Sequence, residues 1–271
     1  MDQDKKIIYF GTEGNAKSIL GLKEVIDDGW NVVQVIAITK EQRSGLLLSV
    51  YRSIKMLLIK MIFSHQVFSL FRKSIFDNID PYYNIFEICK ENNIELILTP
   101  QKNLIALKER IKSKKPDLIL SNGWTEKIPR EIFEIPKIMA VNCHSSYLPE
   151  YRGGNVTFAP LINEEKQSGV TLHELVDKFD AGKILSQKRV RIEKNETPKS
   201  LNHKRALITG EVLINGLKNV GDPTKYKDNP PSPFYFRCSR KTYRKYKLIN
   251  LIRKSLGITP LKYEPKNRYD I

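Results

Sequence analysis

Short apolar runs alternate with amphipathic stretches over the first half of the chain. Residues 6–10 form one such run, closed by Gly11, and residues 32–38 form another, with an amphipathic stretch to about residue 28 between them. This strand, helix, strand opening predicts parallel pairing through a right-handed crossover. Further strands are predicted at 95–98, 117–121 and 138–142, and helices at 82–92 and 103–112, with Pro100, Pro116, Pro129 and Pro136 punctuating the segments. The class that follows is α/β, a Rossmann-like, mostly parallel twisted sheet with helices on both faces. In open sheets of this kind ligands bind beyond the carboxyl ends of the strands, near the reversal of strand order. Gly11, residues 121–124 and residues 142–144 fall at such ends. Gly11 and Gly14 do not complete a Gly-x-Gly-x-x-Gly pattern, so dinucleotide binding is weakly supported.

Downstream, residues 169–177 and 183–192 read as two strands flanking a turn at Asp180, the second alternating Val190 and Ile192 with Arg189 and Arg191. Thr197-Pro198 opens a helix to about residue 219, with Thr197 or Glu196 at its cap. From Gly221 the composition shifts to Pro, Lys, Arg and Tyr, and residues 229–233 read as the end of the compact part. The expected organisation is a catalytic domain over 1–220 and a short basic C-terminal extension over 221–271. The Arg and Tyr cluster at 237–247 suits RNA or nucleotide stacking, a dimer-packing segment, or a plain solvated tail. Residues 46–76 interleave apolar residues with Arg52, Lys55, Lys60, Arg72 and Lys73. They are read as core-facing helices inserted in the sheet crossover, with a basic amphipathic membrane contact as the alternative. No internal repeat is evident.

Composition narrows the partners. The 271 residues carry 46 Lys and Arg against 30 Asp and Glu, a net charge of +16, and a 41% hydrophobic content that supports a substantial core. Such a field favours an anionic partner such as a nucleotide diphosphate, RNA or an acidic membrane surface, although solvated helix faces account for it equally well. Cys89, Cys143 and Cys238 are odd in number and lack Cys-x-x-Cys spacing, which suits a reducing compartment and no structural metal. The N-terminus has no apolar signal core, so a cytoplasmic location is expected.

The candidate chemistry lies between residues 141 and 185. A strand ending near residue 142 delivers Asn142 and His144 to one face, since strand side chains alternate, and Asp180 arrives on an Asp-Ala-Gly turn into another strand. An amide, an imidazole and a carboxylate suit attack by an amine on an acyl carbon. Asn142 can donate to a developing oxyanion, His144 can donate to the same oxygen or accept the amine's proton, and Asp180 can orient the ring and favour imidazolium. Asp177 and Asp180 invite comparison with a glycosidase pair or a metal site, but three-residue spacing across a turn, without a His or Cys cluster, argues against both. His65 and His203 have no partner spacing and read as structural, while His173 could support the site or pack beneath it.

At these residues the chain resembles the folate-dependent formyltransferases, which include glycinamide ribonucleotide, methionyl-tRNA and nucleotide-sugar N-formyltransferases. Their pattern of Asn-x-His-x-Ser-x-Leu-Pro, Arg-Gly, Gly-Val-Thr-x-His and Asp-x-Gly-x-Ile is met by Asn142, His144, Ser146, Leu148, Pro149, Arg152, Gly153, residues 169–171, His173, Asp180, Gly182 and Ile184. The close match runs over about 117–192, and Phe10-Gly11-Thr12 is similar too. Cys143 in the variable position and Glu150-Tyr151 before Arg152 depart from the pattern. The resemblance implies Asn142, His144 and Asp180 as catalytic residues and 10-formyltetrahydrofolate as co-substrate. It implies a folate site at Asn122, Gly123, Trp124, Ile128, Asp177 and Phe179, and acceptor contacts at Ser146, Tyr151, Arg152 and Gly153. The implied acceptor is a nucleotide-sugar amine, with methionyl-tRNA second. A noncatalytic folate- or nucleic-acid-binding protein on the same fold, and a homodimer, complete the expectations.

Overall fold

A computed structural model describes residues 4–39, 84–99, 104–154, 156–230, 234–263 and 266–267. The predicted insertion at 46–76, its membrane alternative, and His65 lie outside these residues. Strands β1 (Ile7–Thr12), β2 (Val32–Ile38), β3 (Glu95–Thr99), β4 (Leu118–Asn122), β5 (Met139–His144), β7 (Gln167–Glu174) and β8 (Ile184–Arg191) form one sheet in the order β3-β2-β1-β4-β5-β7-β8. The first five are parallel, and β7 and β8 are antiparallel to their neighbours. Strand order reverses between β1 and β4, so the carboxyl ends of β1, β4 and β5 open onto the same crevice.

The two faces follow from strand alternation. Ile7 and Tyr9 of β1 point into a core shared with Leu22 and Val25 of helix α1 (Ala16–Asp27), with Ile85 and Ile88 of α2 (Ile85–Glu91), and with Leu213 and Leu217 of a long helix, Pro198–Leu217. Ile8 and Phe10 point the other way, into a second core with Ile111 of α3 (Lys108–Ser113) and Ile132 of α4 (Arg130–Phe133). Helices therefore cover both faces, as the sequence pattern requires.

The long helix starts where sequence reasoning put it. The Thr197 side chain accepts from the Ser200 amide and the Ser200 hydroxyl accepts from the Thr197 amide, a reciprocal cap that satisfies two otherwise unpaired donors.

The C-terminal segment departs from the expected solvated tail. Gly153–Gly154 (β6) pairs in parallel with Phe234–Arg237 (β9), which in turn pairs with Lys266–Asn267 (β10). Helix Arg240–Ser255 packs on Phe158–Ile162, with Tyr243 beside Phe158 at 5.3 Å and Tyr246 beside Tyr263 at 5.7 Å. In chain order Phe158–Ile162 is α5, Pro198–Leu217 is α6 and Arg240–Ser255 is α7. Asn229 is buried against the sheet domain, and packed structure is found again from Phe234 onward.

Helices α1 and α6 approach closely at Gly21. A Cβ there would lie 2.2 Å from Asn122 Nδ2 and 2.9 Å from Leu213 Cδ1. The Asn122 amide cannot yield, since it donates to Tyr9 Oη (2.8 Å) and to the Lys17 carbonyl (2.9 Å). Gly21→Ala should therefore lower the urea midpoint, by about 1–3 kcal/mol of overpacking, although alanine is ordinarily favoured in a helix by about 1 kcal/mol. An unchanged or raised midpoint would show that the two helices can separate freely.

Candidate active site

Strand β5 ends at His144, so Asn142 and His144 are its last inward residues on one face. The register sets their neighbours: Asn142 lies opposite Ser121 on β4 and opposite His173 on β7. The Ser121 hydroxyl donates to Asn142 Oδ1 (2.8 Å), and Asn142 Nδ2 lies 3.2 Å from His173 Nε2. His173 is buried and belongs to the site rather than beneath it.

Asp180 reaches the cluster from the β7–β8 connection. It adopts a left-handed backbone (φ 48°), and a Cβ at Gly182 would lie 2.1 Å from the Glu174 carbonyl, so only glycine closes this turn. Asp180 Oδ1 stands 3.5 Å from His144 Nδ1 and 3.4 Å from His173 Nε2, while Oδ2 accepts from the Gly153 amide at 3.0 Å. The carboxylate thus meets the imidazole, as the sequence pattern anticipates.

The outer nitrogens assign the protons. His144 Nε2 lies 3.1 Å from the Tyr151 carbonyl and His173 Nδ1 lies 2.8 Å from the Glu174 carbonyl; each must donate, because a carbonyl can only accept. In the neutral rings, the nitrogens that face Asp180 therefore carry lone pairs. Burial pushes the His144 imidazolium down in pKa, and the Asp180 carboxylate opposes this without reversing it. Asp180 favours the imidazolium, as expected from its charge, but desolvation is the larger effect and leaves the pKa lowered. Burial would raise the Asp180 carboxyl, but positive charge on His144 and His173, a hydrogen bond from His173 and the Gly153 amide hold it well below the usual carboxylate range. When His144 is neutral its Nδ1 lone pair faces the carboxylate, so the cluster has room for one proton between them.

The loop after β5 explains several other residues. Ser146 is buried, and its hydroxyl donates to the Glu150 carbonyl at 2.8 Å. The Tyr151 hydroxyl turns away onto Glu165 Oε1 (2.6 Å) and accepts from Asn163 Nδ2 (3.1 Å). Arg152 is 1% exposed, and its guanidinium donates to the Asn229 side chain, the Asn229 carbonyl (3.2 Å) and the Pro230 carbonyl (2.7 Å). The side chains of Ser146, Tyr151 and Arg152, expected at the acceptor, thus make contacts that build the loop. Gly153 contributes its amide to Asp180.

On the folate side the expected residues divide. The Asn122 side chain is fully buried and committed to Tyr9 and Lys17, so it can offer a ligand only backbone atoms. Gly123 is held at φ 79° with its carbonyl accepting from the Thr12 hydroxyl at 2.7 Å. Trp124 lies 5.2 Å from the Phe10 ring, with Ile128 buried in the same cluster, and its Nε1 is a buried donor without a partner in the structure. An apolar wall with one unused donor fits the flat edge of a pterin. Asp177 pairs with Arg130 at 3.3 Å, and Phe179 is half exposed with Lys127 Nζ 5.7 Å from its ring. A cavity of about 410 Å³, lined by Phe133, Met139, Ala140, Leu175 and Asp177 among others, lies beside this loop at the opposite end of β5 from His144.

Sequence reasoning assigned no role to Lys17, Ser121 or Asn229. Lys17 is 9% exposed; its ammonium donates to the Cys143 carbonyl, between Asn142 and His144, and to Ser145 Oγ at 3.1 Å. Asn229 Nδ2 donates to the carbonyls of Asp180 (3.0 Å) and Gly182 (2.8 Å), pinning the turn from outside the sheet. Ser121 was legible from the paired strand ends, whereas nothing local marks the other two.

Fold and site together define an α/β protein with a hydrogen-bond-donating amide beside an imidazole and carboxylate pair, next to an apolar wall at the strand-order reversal. Residues 5–217 match the family described as formyl transferase, and the chain belongs to that family. Methionyl-tRNA formyltransferase of Enterococcus faecalis is 37% identical over 126 residues, 46% of this chain and 40% of that one, so the chain spans well under half the length of this curated relative in the match. Among solved structures, phosphoribosylglycinamide formyltransferase of Anaplasma phagocytophilum is similar with a TM-score of 0.57 and 16% identity over 79% of this chain and 85% of that one. The N-formyltransferase of Helicobacter canadensis, in complex with folinic acid and dTDP-3-aminofucose, gives 0.55 and 21% over 88% and 71%.

Charges on either side of His144 act in opposite senses. Asp180→Asn should lower the His144 titration further, and Lys17→Met should raise it. Imidazole titration followed by NMR checks both signs, and shifts in the same direction would show that neither charge acts through the field described here.

Proposed function

We propose that the protein transfers a formyl group from 10-formyltetrahydrofolate to a primary amine. The observation that carries this reading is the convergence of Asn142, His144 and Asp180 on one crevice, with Asp180 3.5 Å from His144. Trp124 and Ile128 would hold the folate, which supplies the formyl carbon. Asn142 keeps one amide hydrogen beyond its contact with His173, and His144 keeps its Nε2–H aimed at the Tyr151 carbonyl. Both are donors suited to an oxyanion at the formyl carbon, with the substrate oxygen taking the place of the Tyr151 carbonyl.

The amine attacks through its lone pair, and the new C–N bond leaves the nitrogen cationic. Its proton then passes, directly or through water, to the gap between His144 Nδ1 and Asp180. There it converts two opposed acceptors into a charge-assisted hydrogen bond. Collapse of the oxyanion restores the carbonyl and expels the folate nitrogen, which takes up that same proton as it leaves and returns the cluster to its starting state. No covalent bond to the protein is needed.

For the acceptor we favour the amine of a nucleotide-linked sugar. The +16 charge suits a diphosphate, the Ser-Tyr-Leu-Pro segment with Arg-Gly resembles the sugar N-formyltransferases, and a structural neighbour carries dTDP-3-aminofucose. Methionyl-tRNA is the second reading, favoured by the names of the sequence relatives.

Asn142→Ala and His144→Ala should each lower kcat by about 10²–10³ while leaving folate affinity unchanged; retained turnover in both variants would refute the assigned roles. In the wild type, kcat/KM should rise with pH as His144 loses its proton, with the acid limb centred below the ordinary ~6.5 of histidine. Incubation with formyl donor and dTDP-amino sugars, glycinamide ribonucleotide or charged methionyl-tRNA assigns the acceptor. Transfer to none of them would favour a binding protein on this fold.

A further inference from the structure

Helix α7 buries only a narrow stripe. Tyr243 and Tyr246 meet aromatic neighbours, and the Asn250 amide exchanges bonds with Leu261, donating to its carbonyl at 2.9 Å and accepting from its amide at 2.7 Å. At 3.6 residues per turn the opposite face runs through Arg240, Lys241, Arg244 and Lys245, then Leu248, Leu251 and Ile252. The face is cationic along its first half and aliphatic at its tip.

That tip is bare. Leu248 is 60% exposed, Leu251 67%, Ile252 51% and Leu256 67%, and Ile258 and Leu261 continue the patch at 43% and 39%. Of the twelve exposed large hydrophobics among the described residues, these six fall within fourteen consecutive positions. Contiguous apolar surface of this kind marks a contact site. Its surroundings are predominantly cationic: residues 230–263 contain nine Lys and Arg and no Asp or Glu, with Lys254 paired to Glu164. Arg240, Lys241, Arg244, Lys245 and Lys247 are exposed and make no ion pair with a described residue.

We infer that α7 and the turn after it dock the protein onto an anionic lipid surface, with Leu248, Leu251, Ile252 and Leu256 entering the headgroup boundary and the cations of the preceding turns meeting lipid phosphates. Charge complementarity selects this occupant. A second copy of the chain would bring two cationic collars together around a shared apolar tip. A nucleic acid would satisfy the collar but leave six aliphatic side chains against polar phosphates. A leaflet with acidic headgroups satisfies both halves. No helix among the described residues is long and apolar enough to cross a membrane, so the contact is peripheral. It also sets an orientation: α7 follows β9, which pairs with Gly153–Gly154, and Gly153 is the amide donor to Asp180. Docking would therefore fix the active-site crevice relative to the bilayer.

The test uses the full chain, co-sedimented with phosphatidylcholine vesicles or with vesicles containing phosphatidylglycerol. Wild type should partition onto the anionic vesicles, more weakly as salt rises, and not onto the neutral ones. The double variant Leu251→Asp with Ile252→Asp should lose about tenfold or more of that partitioning, and Arg244→Glu with Lys245→Glu a comparable share, with circular dichroism and melting unchanged because all four side chains are exposed. Partitioning that is absent, equal on neutral vesicles, or intact in both variants would overturn the inference. Dissociation of a dimer by Leu251→Asp with Ile252→Asp in the absence of lipid would reassign the face to a second copy. Loss of tRNA retention in Arg244→Glu with Lys245→Glu, without vesicle binding in the wild type, would reassign it to RNA.

Discussion

The arrangement at Asp180 depends on a missing proton. Two imidazoles turn their donors outward to backbone carbonyls and their lone pairs inward to a buried carboxylate. A buried anion facing lone pairs is unfavourable until a proton enters, and a proton that enters rests on an imidazole, since the carboxyl is held well below its usual range. The site is thus a base made of three weak groups, and its resting disfavour is offset by the Gly153 amide donating to the other carboxylate oxygen.

Keeping three acceptors together requires that none can swing away. Asn142 and His144 are fixed by the alternation of β5, and His173 by its register on β7. Asp180 sits on a loop, and loops are mobile unless tied. Here the ties come from Gly182, which lets the chain pass close under the Glu174 carbonyl, and from Asn229, which bridges the carbonyls on both sides of the turn. Arg152 grips the Asn229 side chain and the carbonyls around it. A buried guanidinium would be costly alone; with Nη2 held by the Asn229 side chain and two carbonyls, it joins the C-terminal segment to the loop carrying Tyr151 and Gly153.

Legibility in the sequence followed what faces what. Strand β2 matches its apolar run because both of its faces are covered. Strand β5 runs two residues past its predicted end, since Asn142 and His144 are polar where they serve the crevice and interrupt the apolar run, while Cys143 between them faces the core. The antiparallel direction of β7 and β8 leaves no mark in an alternating pattern, which reads the same from either end. Helix α7 was hidden because only Tyr243, Tyr246, Asn250 and their neighbours turn inward, and nine cations suggested a solvated tail. The hold of Arg152 on backbone carbonyls more than seventy residues on cannot be recognised from spacing.

Tyr151 shows how the cluster stays primed. A tyrosine at φ 54° lies in the left-handed region, at a cost of about 1–3 kcal/mol for a residue with a side chain. The hydroxyl contacts to Glu165 and Asn163 and the neighbouring Arg152 anchor hold it there. What the conformation achieves is to aim one carbonyl at His144 Nε2. That carbonyl fixes the tautomer before any ligand arrives, leaving Nδ1 bare toward Asp180, and marks where a substrate oxygen can replace it. The strained residue supplies to the empty site the acceptor that the reaction supplies to the occupied one. His144 therefore needs no change of tautomer between resting and reacting states.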